Sequence, residues 1–472
     1  MNYMIMISFG FFLMLFVGVG ILSTLKQKAT TEDYLLAGRD VSPWLVALSA
    51  IATWNSGFMF IGMIGLTYTL GLSAMWLAIG LVVGDYIMST FVHARLRQNS
   101  EKHESLTYAG ALATWNGTDF RWVRLVGGLV TVFFLCAYAA AQLNAGSKAL
   151  HVLFGWDYSV GAIIGCIMVV AYCFAGGIRA SIWTDAAQSI VMVLAMAVLA
   201  IAAVSSTGGI SAFIDALYAV SPTYMNIFPP DMAWGPVLGP IMFVLGWVFA
   251  GFSVIGQPHV MVRFMSMDNV ENLGRTRAYY YGWFIVFCVL TVMAGLASRV
   301  ILPEVNSFDP ELALPMFSLK LLPQVLVGLV LAGVFAATMS TADSQILSCS
   351  ASLTRDVLPF KKVSYMMTKI ATVFIALLAL AIALWGPQSV FDLVLIAVGA
   401  LASVFAPLLI VYCLGAKPPE KTILLMMAIG FLVTVAWRLA GLDGVTYEVM
   451  PGMIAGLLMY PLGQHLTRSE KS

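Results

Sequence analysis

The run Ala336-Ala337-Thr338-Met339-Ser340-Thr341-Ala342-Asp343-Ser344-Gln345 decides how this chain is read. It lies inside an apolar stretch from about 324 to 354, and roughly 20 such residues suffice to cross a bilayer. On a helix, Ser340, Asp343 and Ser344 follow i, i+3, i+4 spacing and share one face, with Thr341 on its flank. A small hard cation stripped of its water needs oxygen ligands and negative charge, and this face supplies both. Buried hydroxyls also serve as back-bonded or interhelical groups with no ligand. A carboxylate at membrane depth is costly unless it meets a partner or a wet cavity. The expectation is a sodium-binding face in a transporter.

Composition agrees. The 472 residues are 61% hydrophobic and 10% charged, with mean hydropathy +0.92, which marks a polytopic membrane protein. A net charge of +1 gives no footing for a nucleic-acid partner. The first apolar stretch, 4–25, lacks a basic leader and a small-residue cleavage site, so it reads as a retained span. Six cysteines all fall in apolar segments without metal-like spacing and read as buried apolar groups.

Apolar windows fall at about 4–25, 43–70, 72–94, 122–150, 157–176, 181–205, 236–262, 278–302, 324–354, 364–385, 389–414, 421–440 and 446–466, giving thirteen expected spans. With the N-terminus outside, 20 of the 24 Lys and Arg residues fall on inner loops or inner helix ends, Arg263 among them. The outer side keeps Lys148, Arg299, Lys320 and Arg438. Turn chemistry marks loops at 97–120, 206–235 and 303–323.

Two spans carry interruptions. The second has Trp54-Asn55-Ser56-Gly57 near mid-membrane, and the seventh has Gly246, Gly251, Ser253 and Gly256, ending at Pro258. Irregular backbone at that depth is tolerated where it lines a cavity or is buried in protein. Glycines also simply let helices pack closely. Spans five apart suit two five-helix halves of inverted topology, 43–205 and 236–414, with one helix before (1–25) and two after (420–467). Tyr138 and Gln142 are i, i+4 and face a cavity or each other. Asp185 either lines an ion path or caps its helix. Asp85 has no evident partner, and the five histidines, mostly near span ends, read as interfacial.

Several motifs together resemble the sodium:solute symporter family. Ala175-Gly176-Gly177-Ile178-Arg179-Ala180 with Trp183-Thr184-Asp185-Ala186-Ala187-Gln188 is similar to its signature. Gly256-Gln257-Pro258-His259 with Arg263-Phe264-Met265 looks like its sodium/proline branch. Ser340 to Gln345 resembles its ion-binding helix, and Tyr34-Leu35-Leu36-Ala37-Gly38-Arg39 its first inner loop. Where proline-branch members carry an Asp before the broken segment, this chain has Trp54. Their substrate-facing Trp would align near Ala250, with Trp247 one turn earlier.

The resemblance implies an all-α, leucine-transporter fold with 13 transmembrane helices and secondary active transport. It implies a sodium site of the main-chain oxygens of Ala52, Asn55 and Ala337 with the hydroxyls of Ser340 and Thr341. A second ion would use Asp185, Asp343 and Ser344. The solute would sit by Ser56, Gly57, Tyr138, Gln142, Phe252 and Ser253. The expected function is sodium symport of a small organic solute, an amino acid such as proline first. Another solute (sugar, sialic acid, carboxylate) or proton coupling through Asp343 or Asp185 stays open. No catalytic constellation is present to suggest an enzyme. The expected partners are the solute, Na+ and the lipid bilayer of a bacterial-type inner membrane. The expected working unit is a monomer with its C-terminus in the cytoplasm.

Overall fold

The computed structural model describes residues 3–230, 232, 234–304, 307–358, 363–387 and 389–469, with side chains up to residue 464. Lys361, Lys362 and Lys471, placed above on the inner side, lie outside the described residues. So do the side chains of His465 and Arg468.

Among the described residues the structure is helical, apart from one isolated bridge between Val41 and Met267. The long helices are α1 (Tyr3–Thr24), α2 (Pro43–Trp54), α3 (Met63–Leu70), α4 (Met75–Lys102), α5 (Arg121–Phe154) and α6 (Tyr158–Ser206). They continue with α7 (Gly235–Phe252), α8 (Pro258–Met265), α9 (Leu273–Ile301), α10 (Gln324–Ser352), α11 (Tyr365–Trp385), α12 (Val390–Cys413), α13 (Glu420–Leu439) and α14 (Val449–Ser469).

Among the described residues, ten helical stretches are long and apolar enough to cross a membrane, making this a multi-pass membrane protein. Of the three by which this falls short of the thirteen apolar windows, one is 446–466, on α14, whose side chains are described only to residue 464, and two are mergers. Windows 157–176 and 181–205 form the single helix α6, bent where Gly177 takes φ +57°. The window at 43–70 is divided: α2 is 12 residues long, and the rest runs on with α4 from Phe58 to Lys102. The loop 206–235 carries a helix at Ile210–Val220, and the loop 303–323 carries one at Ala313–Leu321.

Burial sorts the helices by depth in the bundle. Of the apolar 18-residue windows, 89% is buried in α10 and 83% in α12, against 22% in α1. A helix buried all round belongs to the middle, and one with a narrow buried stripe belongs to the lipid boundary. The small residues Ala336, Ala337, Ser340, Ala342 and Ser344 make α10 narrow enough to be surrounded.

Loops tie the ends. Arg179 on α6 meets Asp33 at 2.6 Å and donates to the Ala37 oxygen at 2.6 Å, wedging the segment around Tyr34 against the Gly177 bend. Arg39 donates to the main-chain oxygens of Ser100 (2.9 Å), Ser105 (2.9 Å) and Met265 (3.0 Å). Three separate segments are thus gathered on the basic-rich side. Asp85 does have partners: the Tyr280 and Tyr281 hydroxyls donate to it at 2.6 and 3.0 Å, joining α4 to α9.

Candidate functional site

α2 stops at Trp54 because the chain leaves helical geometry at Asn55 (φ −84°, ψ 59°). The break then presses against α5 and α10. A Cβ on Gly57 would lie 2.7 Å from Thr338 Cγ2 and 2.9 Å from Ala145 Cβ, so the position demands glycine. Side chains satisfy the freed backbone groups. The Gly57 N–H donates to Gln142 Oε1 at 2.8 Å, and the Phe58 N–H to Ser56 Oγ at 3.1 Å. The Ser56 and Tyr138 hydroxyls are 3.3 Å apart. Tyr138 and Gln142 therefore face the broken segment rather than each other. Beyond it the chain makes a wide turn over Phe58–Gly62 before α3 begins.

The second break lies between α7 and α8. The chain tightens over Ser253–Gly256 and is extended at Gln257 (φ −97°, ψ 102°). Gln257 Nε2 donates to the Ser253 and Val398 oxygens, each at 3.2 Å, and the Tyr108 hydroxyl donates to the Ile255 oxygen. Pro258 opens α8, where an N–H has no helical partner in any case. Gly246 and Gly251 are not part of this break. Gly251 packs on α4, where an added Cβ would lie 2.7 Å from Gly84 Cα.

The last turn of α2 meets α10. Ser340 Oγ lies 3.1 Å from the Ala52 oxygen and 3.1 Å from the Ala337 oxygen. Thr341 Oγ1 lies 2.9 Å from the Thr53 oxygen and 3.1 Å from the Ala337 oxygen. Each of these residues is fully buried. A helix end leaves its final carbonyls without intrahelical donors and carries partial negative charge. The Gly57 N–H, which would have served Thr53, is taken by Gln142. A hydroxyl has one proton to give, so Ser340 and Thr341 each stand near two carbonyls and can satisfy only one. A dehydrated monovalent cation fits this surplus of oxygen lone pairs.

Next to this lies a second cluster. Asp185 Oδ2 lies 2.7 Å from Ser49 Oγ and 3.4 Å from Ser181 Oγ, and Asp343 Oδ1 lies 2.9 Å from Ser181 Oγ and 2.8 Å from Ser344 Oγ. Between the carboxylates stands Arg263, 3.4 Å from Asp185 and 3.8 Å from Asp343, with all three side chains 0% exposed. Arg263, counted from sequence among the inner loops and inner helix ends, turns its guanidinium into the bundle from the last turn of α8. Thr53 Oγ1 lies 3.0 Å from Ser344 Oγ and 3.5 Å from Asp185 Oδ2, so one residue touches both clusters.

A small cavity, with about 40 Å³ of room for water centres, lies beside the two breaks, lined among others by Trp54, Asn55, Tyr138, Trp247 and Ser253. Its walls are mostly apolar, with Phe58, Leu77, Leu81, Val394 and Val398. A larger space, about 260 Å³ by the same measure, shares Trp247, Leu395 and Tyr447 with it.

Of the residues expected at the first ion site, Ala52, Ala337, Ser340 and Thr341 converge. Thr53 supplies the oxygen next in line, while Asn55 lines the cavity and turns its amide back to the Ile51 oxygen at 3.0 Å. Asp185, Asp343 and Ser344 come together around Arg263. Of the expected solute residues, Tyr138 and Ser253 line the cavity, and Ser56, Gly57 and Gln142 hold the break beside it. Phe252 is half-buried and packs on Phe249, ring centroids 4.9 Å apart. Sequence reading missed Thr53, Arg263 and two histidines. His259 is fully buried, with its ring 5.6 Å from Tyr138, and His93 stacks on Phe264 at 3.6 Å; neither is interfacial. Both His259 nitrogens, Trp54 Nε1, Gln142 Nε2 and Gln257 Oε1 are buried without partners. Such atoms concentrate where a ligand is to be met.

The profile described as the sodium:solute symporter family matches residues 34–430. The high-affinity proline transporter PutP of Bacillus subtilis is 30% identical over 443 residues, covering 92% of each chain. A sodium/proline symporter of Staphylococcus aureus is 29% identical, covering 99% of this chain and 93% of its own. Among solved structures, a substrate-bound, outward-open Na+-coupled sialic acid symporter aligns with TM-score 0.82 at 20% identity, covering 97% of this chain and 98% of its own. The nucleobase-cation-symport transporter Mhp1, closed on a bound hydantoin, aligns with TM-score 0.58 at 16% identity over 92% of this chain and 95% of its own. Both share the leucine-transporter fold. A match that begins at Tyr34 and runs through both broken helices and α10 establishes that this chain belongs to the sodium:solute symporter family.

Proposed function

We propose that this protein is a sodium-coupled symporter that imports a small amino acid, proline in first place, by alternating access. One observation carries the reading. The hydroxyls of Ser340 and Thr341 meet the orphan carbonyls at the end of α2, one residue from Trp54 in the cavity wall. Sodium is cargo here, held by the oxygens of Ala52, Thr53, Ala337, Ser340 and Thr341. The solute occupies the cavity by Tyr138 and Ser253, beside the segment held by Ser56, Gly57 and Gln142. The similarity to a proline transporter of Bacillus subtilis and a sodium/proline symporter of Staphylococcus aureus supports proline. The apolar wall supports it too, since a sugar's many hydroxyls would go unmatched there.

The arrangement also supports thirteen crossings: α6 counts twice across Gly177, α2 with α3 once, and α7 with α8 once. The two breaks then fall in matching helices of two five-helix halves. The basic-rich end lies in the cytoplasm, with the N-terminus outside, in an inner (plasma) membrane, and the monomer is the working unit.

The driving force is adequate. About 100 mV contributes about 2.3 kcal/mol per charge, and a tenfold sodium gradient adds about 1.4 kcal/mol. One ion therefore supports roughly 500-fold accumulation. The test is uptake of labelled proline into proteoliposomes under an inward sodium gradient, with and without a proton gradient. Uptake that follows sodium is expected. Uptake that follows pH and ignores sodium would select proton coupling, and competition by another solute would replace proline.

A further inference from the structure

A loop from the far end of the chain parts the small cavity from the larger space beside it. Trp247, Leu395 and Tyr447 line both, so they form the partition between them. We propose that Tyr447, with Trp247, is the roof of the solute cavity and sets how large a solute it accepts, so that the loop between α13 and α14 belongs to the binding site. The proposal rests on the reading above that this cavity holds the solute.

The loop, 440–448, starts exposed and ends buried: Leu442 is 38% exposed, Tyr447 6% and Glu448 1%. Three ties hold its buried end down. The Trp437 indole N–H lies 3.0 Å from the Leu442 oxygen and 2.9 Å from the Thr446 oxygen. Glu448 Oε1 meets Arg438 Nη1 at 2.8 Å, and Arg438 Nη2 reaches Asp392 Oδ1, near the start of α12, at 3.4 Å. Freeing the loop end would leave the Glu448 charge without its partner, which is strongly unfavourable for a buried group. The Tyr447 hydroxyl donates to the Leu395 oxygen at 3.0 Å, which fixes the far edge of the ring.

So held, Tyr447 stacks on Trp247 of α7, with ring centroids 5.9 Å apart and planes 28° apart. The neighbouring Gly246 lets the loop come this close. A Cβ there would lie 3.3 Å from both Thr446 Cγ2 and the Tyr447 nitrogen, so the glycine that plays no part in the break serves the roof. Trp247, Ala250 and Ser253 follow one another at three-residue intervals and all line the cavity. The small Ala250 leaves room below, and the two rings close it above. A side chain free on one side would swing away from a bulky solute. Rings fixed by a stack, a hydrogen bond and a tied loop cannot, and crowding against a fixed wall is unfavourable. A compact solute fits beneath them, and one with a large substituent is refused.

The test measures how well proline analogues with a methyl or a phenyl group at ring C4 inhibit uptake of labelled proline in proteoliposomes. Wild type is expected to ignore the phenyl analogue. Tyr447→Ala and Trp247→Ala are each expected to raise the affinity for that analogue, relative to proline, at least about tenfold, the scale of one apolar pocket contact. Tyr447→Phe keeps the ring and is expected to keep wild-type selectivity. An unchanged ratio in both alanine variants, or a wild type that takes the phenyl analogue as readily as proline, would overturn the proposal. If the alanine variants elute as aggregate, Leu395→Cys decides, because Leu395 belongs to the same partition. Its labelling by a membrane-impermeant maleimide is expected to slow at least about tenfold when sodium and proline saturate the site; an unchanged rate would overturn the proposal. Wild type without sodium-driven proline uptake would instead sink the symport reading on which the roof depends.

Discussion

The Thr341 hydroxyl on α10 donates to the main-chain oxygen of Thr53, in the last turn of α2, across 2.9 Å. These residues lie 288 positions apart in sequence, and the contact closes the ion site. The next residue after Thr53, Trp54, puts its side chain in the cavity wall. On the proposed reading, ion and solute grip the same helix end. Whatever steadies that end for one makes it fitter for the other, and the effect is reciprocal.

Thr341→Val removes a ligand and keeps the shape. The variant is expected to reach the membrane in normal amount, because a buried hydrogen bond contributes only about 1 kcal/mol to stability. Its half-saturating sodium concentration is expected to rise at least about tenfold, equivalent to about 1.4 kcal/mol. Uptake measured against sodium concentration checks this; full uptake at low sodium would remove Thr341 from the site.

The face carrying Ser340, Thr341, Asp343 and Ser344 was legible in sequence because helical spacing alone places those residues together. The first break was legible because Asn55-Ser56-Gly57 has no business in a lipid-facing helix. The partners across the site were not. Choosing the Thr53 oxygen over that of Asn55 depends on where α2 ends, which the Gly57 to Gln142 hydrogen bond decides from another helix. Arg263 stands near the end of an apolar window, where a count of basic residues assigns it to the membrane surface. Only the break at Ser253–Gln257 reorients α8 so that the guanidinium faces α6 and α10. His259 was misplaced for the same reason.

Asp185→Asn leaves Arg263 with one carboxylate, Asp343, at ion-pair distance. Breaking a buried ion pair costs about 3–5 kcal/mol, so a clear fall in the thermal midpoint is expected. The sodium affinity is expected to fall as well, since Thr53 joins the Asp185 cluster to the proposed ion site. Thermal unfolding with and without sodium reads both effects. Retained stabilisation by sodium at wild-type concentrations would show that the two clusters act independently.

Gly57→Ala places a methyl 2.7 Å from Thr338 Cγ2, 2.9 Å from Ala145 Cβ and 3.0 Å from Gln142 Oε1. Overpacking of this kind costs about 1–3 kcal/mol, and the break must shift to relieve it. Loss of most uptake with a modest loss of stability is expected. Gly10→Ala on α1 is the matched control, because a Cβ there meets nothing within 4 Å. Equal behaviour of the two variants in uptake would mean the geometry at Gly57 does not matter for transport.

Glu311 links α5, α12 and the turn after the first break, at the end of the molecule that the count of basic residues places outside. Its Oε2 lies 2.5 Å from Lys148 Nζ on α5 and 3.3 Å from the Val390 N–H, and its Oε1 accepts from the Phe391 N–H at 2.8 Å. Phe391, so held, stacks on Phe58 with ring centroids 5.3 Å apart. One carboxylate therefore joins the outer end of α5 to the start of α12 and to the turn that follows the first break. Side chains at 8% and 11% exposure keep this pair largely out of water, where it is worth more than a surface bridge. Glu311→Gln keeps the shape and removes the charge, so the outer end is expected to open more often. A cysteine introduced as Leu66→Cys reports it, because Leu66 lines both outer spaces and the six native cysteines are buried. Labelling by a membrane-impermeant maleimide is expected to quicken about tenfold, a population shift of about 1.4 kcal/mol. Lys148→Met is expected to do at least as much, because Lys148 also meets Asp309 at 2.9 Å, and the double variant no more than Lys148→Met alone. Unchanged labelling in both single variants would show that the stacked phenylalanines hold this end closed without the ion pair.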